Sequence, residues 1–375
     1  MRPLPAALPT ADAALALIKP RVRAQAAYTL QAPEARRKLN QNESPFDVPA
    51  LIKDAVLARV RETAWNRYPA FTPAELLARL AERHGWTADG VLVGNGSNEL
   101  IQATLAVTVG EGSAVVTPVP TFTLYRLLSE VFGGRHVGVP LTPDFEFDVP
   151  ALIGAAAAAA ARVVVVNSPN NPTGTPFPEG EGGEGGGGGV ARLLAETEAL
   201  IVVDEAYQDF GGPTAIPLLA QHPRLVVLRT FSKAMSLAGL RFGYALAHPA
   251  VAREIAKAKL PYNVNRVTLA AAHAALDARD VFAEATARIR DARDRLLQRL
   301  REVAGLRVFP SAANFVLIRC LARPAAEVFR RLVDEHGILV RDVSATPGLD
   351  GCLRITAGTT DDVDAVVEAL RAILA

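Results

Sequence analysis

Leu225-Val226-Val227-Leu228-Arg229-Thr230-Phe231-Ser232-Lys233, continuing to Gly239-Leu240-Arg241, decides how this chain is read. Four apolar residues predict a buried strand, and the polar turn after it carries a lysine between a serine and a small residue. At the end of a buried strand, neighbours and partial desolvation lower a lysine's pKa, and a neutral amine can attack a carbonyl to form a Schiff base. A solvated loop lysine has the same local sequence. The meaning of Lys233 therefore rests on what else the chain brings to it.

Working outward, the same strand-then-polar-turn pattern recurs. Val91–Val93 is followed by Gly94-Asn95-Gly96-Ser97-Asn98-Glu99 and a helix over Leu100–Val109. Ala114–Val116 leads to Thr117-Pro118-Val119-Pro120-Thr121-Phe122. Val163–Val166, Ile201–Val203 and Phe242–Leu246 complete the set. Apolar strands without alternation, interleaved with helices, predict an α/β fold whose mainly parallel sheet is buried on both faces. In such sheets ligands bind outside the carboxyl ends of the strands. The clusters Gly94–Asn98, Asn167–Gly174, Asp204–Tyr207 and Thr230–Lys233 all fall there, so distant segments converge on one rim.

Upstream, helix patterns cover Ala50–Arg61 and Ala74–Arg83, with Pro73 at a first helical position. Residues 1–44 read as an N-terminal arm, residues 45–265 as a large domain and residues 266–375 as a small α+β domain. A helical crossing near Pro261-Tyr262-Asn263 leaves the large domain, followed by a long amphipathic helix over Val281–Val303. The tail then predicts strands at Arg307–Phe309, Phe315–Ile318, Ile338–Val340 and Cys352–Thr356, with helices over Ala325–His336 and Asp361–Leu374.

Composition narrows the function classes. At 375 residues the chain exceeds one ordinary core. A net charge of +1 offers no electrostatic footprint for nucleic acid or an anionic membrane. Cys320 and Cys352 lie far apart, which argues against a disulfide framework or a zinc site and is compatible with a reducing cytoplasm. Pro9 and Asp12 interrupt the N-terminal apolar run, disfavouring a signal peptide, and no run is long enough to span a membrane. Ala155–Ala161 favours helix. The run from Glu179 to Gly189 reads as a mobile surface loop, since no lysine or Ser/Thr follows it as phosphate-loop chemistry requires.

A pyridoxal phosphate enzyme needs a lysine to hold the aldehyde, a carboxylate to keep the ring nitrogen protonated, and donors for the phosphate. Each need has a candidate. Asp204 follows a valine strand and can pair with the ring nitrogen, although a helix cap uses the same residue type. Asn171, in Ser168-Pro169-Asn170-Asn171-Pro172-Thr173-Gly174, offers an amide to the phenolic oxygen, as an ordinary turn also does. Gly96, Ser97 and Asn98 open a helix and supply phosphate donors. Arg241 can join them with Thr230 and Ser232. Phe122 can stack on the ring or fill core. The joint order of these residues is the strong signal.

Asn170-Asn171-Pro172-Thr173-Gly174, Asp204-Glu205-Ala206-Tyr207 and Thr230-Phe231-Ser232-Lys233-Ala234 through Arg241 resemble fold-type-I pyridoxal phosphate aminotransferases. Narrower motifs resemble the histidinol-phosphate aminotransferase family: Leu39-Asn40-Gln41-Asn42-Glu43, Asn66-Arg67-Tyr68-Pro69, Pro261-Tyr262-Asn263-Val264-Asn265 and Cys352-Leu353-Arg354-Ile355-Thr356. The resemblance covers roughly residues 36 to 375. It implies a seven-stranded sheet with helices on both faces and a smaller α+β domain that the arm joins. Lys233 would anchor the cofactor and shuttle a proton, Asp204 would pair with the ring nitrogen, and Asn171 and Tyr207 would contact the phenolic oxygen. Ser97, Asn98, Thr230, Ser232 and Arg241 would hold the phosphate. Tyr68 would reach the partner subunit's cofactor, implying a homodimer.

For substrate, the resemblance implies that Arg354 clamps the α-carboxylate, that Arg341 takes the substrate's own phosphate, and that Asn42 borders the pocket. Two features depart from the pattern. Lys19-Pro20-Arg21 stands where relatives carry a Pro-Tyr pair, so Arg21 or Tyr28 substitutes or the arm closes differently. The glycine-rich insert after Thr175 is also atypical. The implied activity is transfer of an amino group between L-histidinol phosphate and 2-oxoglutarate in a cytoplasmic enzyme of histidine biosynthesis, with small molecules as its only partners besides a second copy. Alternatives on the same fold are an aromatic amino acid aminotransferase and an O-phospho-amino-acid decarboxylase. A non-catalytic binding protein is disfavoured by the intact Lys233, Asp204 and Arg241, and a nicotinamide dehydrogenase by the lack of G-x-G-x-x-G.

Overall fold

Seven strands form one sheet in the computed structural model, which describes residues 10–26, 33–179 and 188–375. In chain order they are β1 (Val91–Asn95), β2 (Ala114–Val119), β3 (Arg135–Pro140), β4 (Val163–Asn167), β5 (Leu200–Asp204), β6 (Leu225–Thr230) and β7 (Phe242–Ala247). Their spatial order is β1-β7-β6-β5-β4-β2-β3. All pairings are parallel except those of β7, which runs antiparallel to both β6 and β1. The sheet is therefore mainly parallel, with one reversed strand.

The valine runs explain the layering. Successive side chains of a strand point to opposite faces, so Val164, Val166, Val203 and Val227 enter one core while Val163, Val165, Val202 and Val226 enter another. Helices Ala74–Arg83, Val149–Ala158 and Gly188–Glu196 close the first face. Helices Ser97–Thr108, Leu124–Phe132 and Pro249–Ala256 close the second. Strand β3 escapes the sequence reading because Arg135, His136, Gly138 and Pro140 dilute its apolar signal. As an edge strand it is only partly buried, which is where a proline is tolerated.

A second, antiparallel sheet orders Arg341–Asp342, Cys352–Thr356, Phe315–Cys320 and Leu306–Val308. Helices Arg279–Arg301, Ala325–Asp334 and Thr360–Leu374 build its core, the last started by a capping box between Thr359 and Asp362. Arg37–Lys38 pairs in parallel with Ile338–Leu339. Leu39 continues the tie, donating to the Leu339 carbonyl and accepting from the Thr356 amide. The chain just ahead of Asn40-Gln41-Asn42 is thus fastened to the second body.

Pro261-Tyr262-Asn263 is a turn, with Tyr262 at φ +56°, and not a helical crossing. The helix after it, Arg266–Asp277, packs on Ala50–Arg61 and buries Ala270, Ala271, Ala272 and Ala275 in the core of the seven-stranded body. The passage between cores falls inside the long helix Arg279–Arg301, which puts Phe282 in the large core and Leu296, Leu297 and Leu300 in the small one. Near the N-terminus, short helices Asp12–Leu15 and Pro20–Arg23 interrupt the segment read as aperiodic, and Gln25 donates to Glu130 at 2.9 Å. Tyr28 and residues 180–187 of the glycine-rich loop lie outside the described residues.

Candidate active site

The carboxyl ends of β1, β4, β5 and β6 meet the second sheet around a cavity of about 350 Å³. At one end β1 turns sharply into helix Ser97–Thr108 through Gly96, at φ +79°. A Cβ on Gly96 would stand 2.4 Å from the Arg241 guanidinium, and one on Gly243 would stand 2.3 Å from the Ser97 amide nitrogen. These two glycines let the helix N-terminus, β7 and Arg241 approach one another. Arg241, itself at φ +57°, donates to the Ser232 hydroxyl at 3.1 Å and to the Ala238 carbonyl at 3.0 Å. Thr230 lines the same space, its hydroxyl donating to the Phe242 carbonyl and accepting from the Ser232 amide, and Arg241 has no carboxylate partner among the described residues. A helix N-terminus, a guanidinium and hydroxyls around an uncompensated positive charge make an anion site.

Asp204, the last residue of β5, is 3% exposed. Its Oδ1 accepts from the Ala206 amide at 3.1 Å and its Oδ2 from the Tyr125 hydroxyl at 2.7 Å. Burial is the largest influence and raises its pKa to about 6, opposed by those two donors. Asn167, at the end of β4, donates to the Asp204 carbonyl and accepts from the Asn171 amide, tying the two turns together.

Lys233 lies in the turn after β6 with Nζ 2.9 Å from the Gln41 carbonyl oxygen. Desolvation, then the positive charge of Arg354, lowers its pKa to about 7, with Arg241 and Lys38 adding and Glu43 opposing. The ring of Tyr207 lies 5.8 Å beneath the amine. Its hydroxyl accepts from Asn42 Nδ2 at 3.0 Å, while Asn42, at φ +55°, is fixed by Thr356 and by Asn314, which donates to its carbonyl. Asparagine tolerates that left-handed backbone better than most residues.

Arg341 and Arg354 stand directly opposite each other on adjacent antiparallel strands, and both line the cavity. Arg354 donates to the Asn40 carbonyl at 2.7 Å and to Asn171 Oδ1, and lies over Phe315. The Arg341 side chain has no hydrogen bond or ion pair among the described residues. The structure brings Asn42, Ser97, Asn98, Phe122, Asn171, Asp204, Tyr207, Thr230, Ser232, Lys233, Arg241, Arg341 and Arg354 to one cavity, with Gly96 shaping its wall.

Tyr68 is not among them. It is 76% exposed and stacks on Tyr262 with ring centroids 4.5 Å apart. Arg21 is also elsewhere, 3.9 Å from Glu111. Sequence reasoning gave no role to Tyr125 or to the Asn40 and Gln41 carbonyls, and placed Asn167 on the rim only as one end of the Asn167–Gly174 cluster. Asn167 had a signal, as a polar residue closing an all-valine strand; backbone carbonyls carry none.

Residues 37–370 match the aminotransferase class I and II family, and the chain belongs to that family. Among its relatives, histidinol-phosphate aminotransferase of Chlorobaculum parvum is 38% identical over 358 residues, covering 95% of this chain and 98% of that protein. Histidinol-phosphate aminotransferase 2 of Nitrosococcus oceani is 36% identical, covering 97% and 99% respectively. Among solved structures, histidinol-phosphate aminotransferase of Sinorhizobium meliloti in complex with pyridoxal-5'-phosphate superposes with a TM-score of 0.83 at 26% identity, covering 96% of this chain and 97% of that one. The residues here fit that cofactor. A low-pKa amine, a buried carboxylate and an anion cradle whose glycines admit no side chain surround one cavity.

Proposed function

We propose that this chain transfers an amino group between L-histidinol phosphate and 2-oxoglutarate with pyridoxal 5'-phosphate as cofactor, serving histidine biosynthesis. The observation that carries the substrate reading is the cross-strand pair Arg341–Arg354 at the cavity wall. Histidinol phosphate has no carboxylate; its phosphate ester occupies the end of the molecule where an amino acid has one. Two adjacent guanidiniums suit that dianion, whereas glutamate and 2-oxoglutarate present an α-carboxylate to Arg354 in the same place. Arg354 is held in readiness by Asn40, Asn171 and Phe315.

Bound pyridoxal phosphate supplies a carbonyl for the substrate amine and a ring that accepts electrons when the α-proton leaves. Asp204 would pair with the ring nitrogen, Asn171 and Tyr207 would contact the phenolic oxygen, and Phe122 would cover the ring. The N-terminus of helix Ser97–Thr108, shaped by Gly96, would hold the phosphate through Ser97 and Asn98, together with Thr230, Ser232 and Arg241. Lys233 would anchor the cofactor and, once free, its amine would take and return a proton. The Gln41 carbonyl keeps that amine within the cavity. Asn42 orients the Tyr207 hydroxyl.

The working unit in this reading is a cytoplasmic homodimer in which the exposed Tyr68 reaches the partner subunit's cofactor phosphate. An arm (residues 1–44), a large cofactor-binding domain (residues 45–265) and a small C-terminal domain (residues 266–375) make up each copy. None of the described helices is long and apolar enough to cross a membrane. Steady-state assays of purified protein with histidinol phosphate and with phenylalanine, coupled to CO2 detection, test the activity. A strong preference for histidinol phosphate without CO2 release is expected. Comparable turnover of phenylalanine points to an aromatic aminotransferase, and CO2 release from an O-phospho-amino acid to a decarboxylase.

A further inference from the structure

The carboxylate of Asp204 is held from behind by a side chain that does not border the cavity. Tyr125, in helix Leu124–Phe132, is 1% exposed, and its hydroxyl donates to Asp204 Oδ2 at 2.7 Å. The opposite oxygen, Oδ1, is taken by the Ala206 amide. Both bonds fix the carboxylate plane, and both favour its charged form. Glu205, the next residue in the chain, works the other way through charge repulsion. Phe122, which lines the cavity, packs edge-on against Tyr125 at 5.6 Å between ring centroids. One short segment therefore presents an aromatic to the cavity and a phenol to the acid behind it.

We propose that Tyr125 is a positioning residue that keeps Asp204 anionic and aimed at the cofactor's ring nitrogen. This rests on the assignment of Asp204 as the partner of that nitrogen. A buried carboxylate with too few donors takes up a proton, and a neutral carboxyl no longer favours a protonated ring. The phenol remains a donor throughout, because burial and the neighbouring charge of Asp204 hold its own proton firmly. A tyrosine that only filled core would need no hydroxyl at this point.

The test compares cofactor binding by the apoprotein of the wild type, Tyr125→Phe, Asp204→Asn and the double variant. Each is titrated with pyridoxal phosphate and with the analogue whose ring nitrogen is replaced by carbon, read by quenching of intrinsic fluorescence. Tyr125→Phe is expected to weaken pyridoxal phosphate by about tenfold or more, the scale of one hydrogen bond to a charged group. It leaves the analogue unaffected, and in the Asp204→Asn background it adds no further loss. Wild-type affinity in Tyr125→Phe, or an equal loss for both ligands, overturns the proposal. If Asp204→Asn itself fails to discriminate the ligands, the assignment of Asp204 falls instead.

Discussion

The side-chain amine of Lys233 donates to the backbone carbonyl of Gln41 at 2.9 Å, joining residues 192 positions apart. Gln41 sits between Asn40, whose carbonyl takes Arg354, and Asn42, whose carbonyl takes Asn314. Three successive carbonyls of one segment thus receive side chains from the second sheet (Arg354), from the residue just before its strand Phe315–Cys320 (Asn314) and from the turn after β6 (Lys233).

That environment predicts an amine reactive at neutral pH. With its pKa lowered to about 7, Lys233 is half neutral there rather than near the ordinary 10.5. In apoprotein, the rate of borohydride-trapped adduct formation with pyridoxal phosphate is expected to rise with a midpoint near pH 7. Lys233→Ala should give no adduct at that site; an unchanged adduct would sink the assignment. The sign of the stability effect follows. Between about pH 7 and 10.5 the unfolded chain binds the proton that the folded one has lost, so this group makes the apoprotein more stable as pH rises through that window.

Arg341→Met tests the paired guanidiniums. Loss of one charged partner of the phosphate should lower kcat/KM for histidinol phosphate by about tenfold to a hundredfold. The visible absorbance of bound cofactor should stay unchanged, because Arg341 belongs to the second sheet and not to the cofactor cradle. Unaltered kcat/KM would remove Arg341 from the substrate site.

Behind the cavity, Arg229 and Glu205 form a buried ion pair at 2.6 Å, with Asp209 at 3.6 Å from the same guanidinium. Glu205 also accepts from Thr214 and the Ala215 amide. Removing one partner strands the other's charge, so Glu205→Leu should cost about 3 kcal/mol or more of stability in urea unfolding. A loss below about 1 kcal/mol would show that Asp209 and water suffice for Arg229.

Shared sites predict complementation. Tyr68→Ala and Lys233→Ala chains, each weakly active or inactive alone, should regain part of the activity when unfolded and refolded together. A hybrid dimer then has one site with Lys233 from one copy and Tyr68 from the other. Absence of any recovery, with mixed dimers demonstrated by differential tagging, would place Tyr68 outside the partner's site.

What was legible in the sequence follows from how each residue is presented. Lys233, Asp204, Asn171 and Arg241 were readable because polar side chains of demanding chemistry interrupt or follow all-apolar strands, and the parallel topology collects such positions. Strand β3 was not readable, since an edge strand needs no continuous apolar run. Helix Arg266–Asp277 was not readable because alanines carry a weak apolar signal, although small side chains suit its contact with Ala50–Arg61. Tyr125 carried no signal of its own in the sequence. Its hydroxyl's partner lies 79 positions away, and only the folded chain shows the pair.

Arg341 and Arg354 come from the antiparallel sheet, while Lys233, Asp204, Asn171 and the anion cradle come from the seven-stranded one. In the proposed reading, substrate choice and electron chemistry come from separate sheets that share one hinge pin, Arg354, which also lowers the Lys233 pKa and donates to Asn171. Exchange of Arg341 alone therefore reaches the substrate side, whereas exchange of Arg354 reaches both.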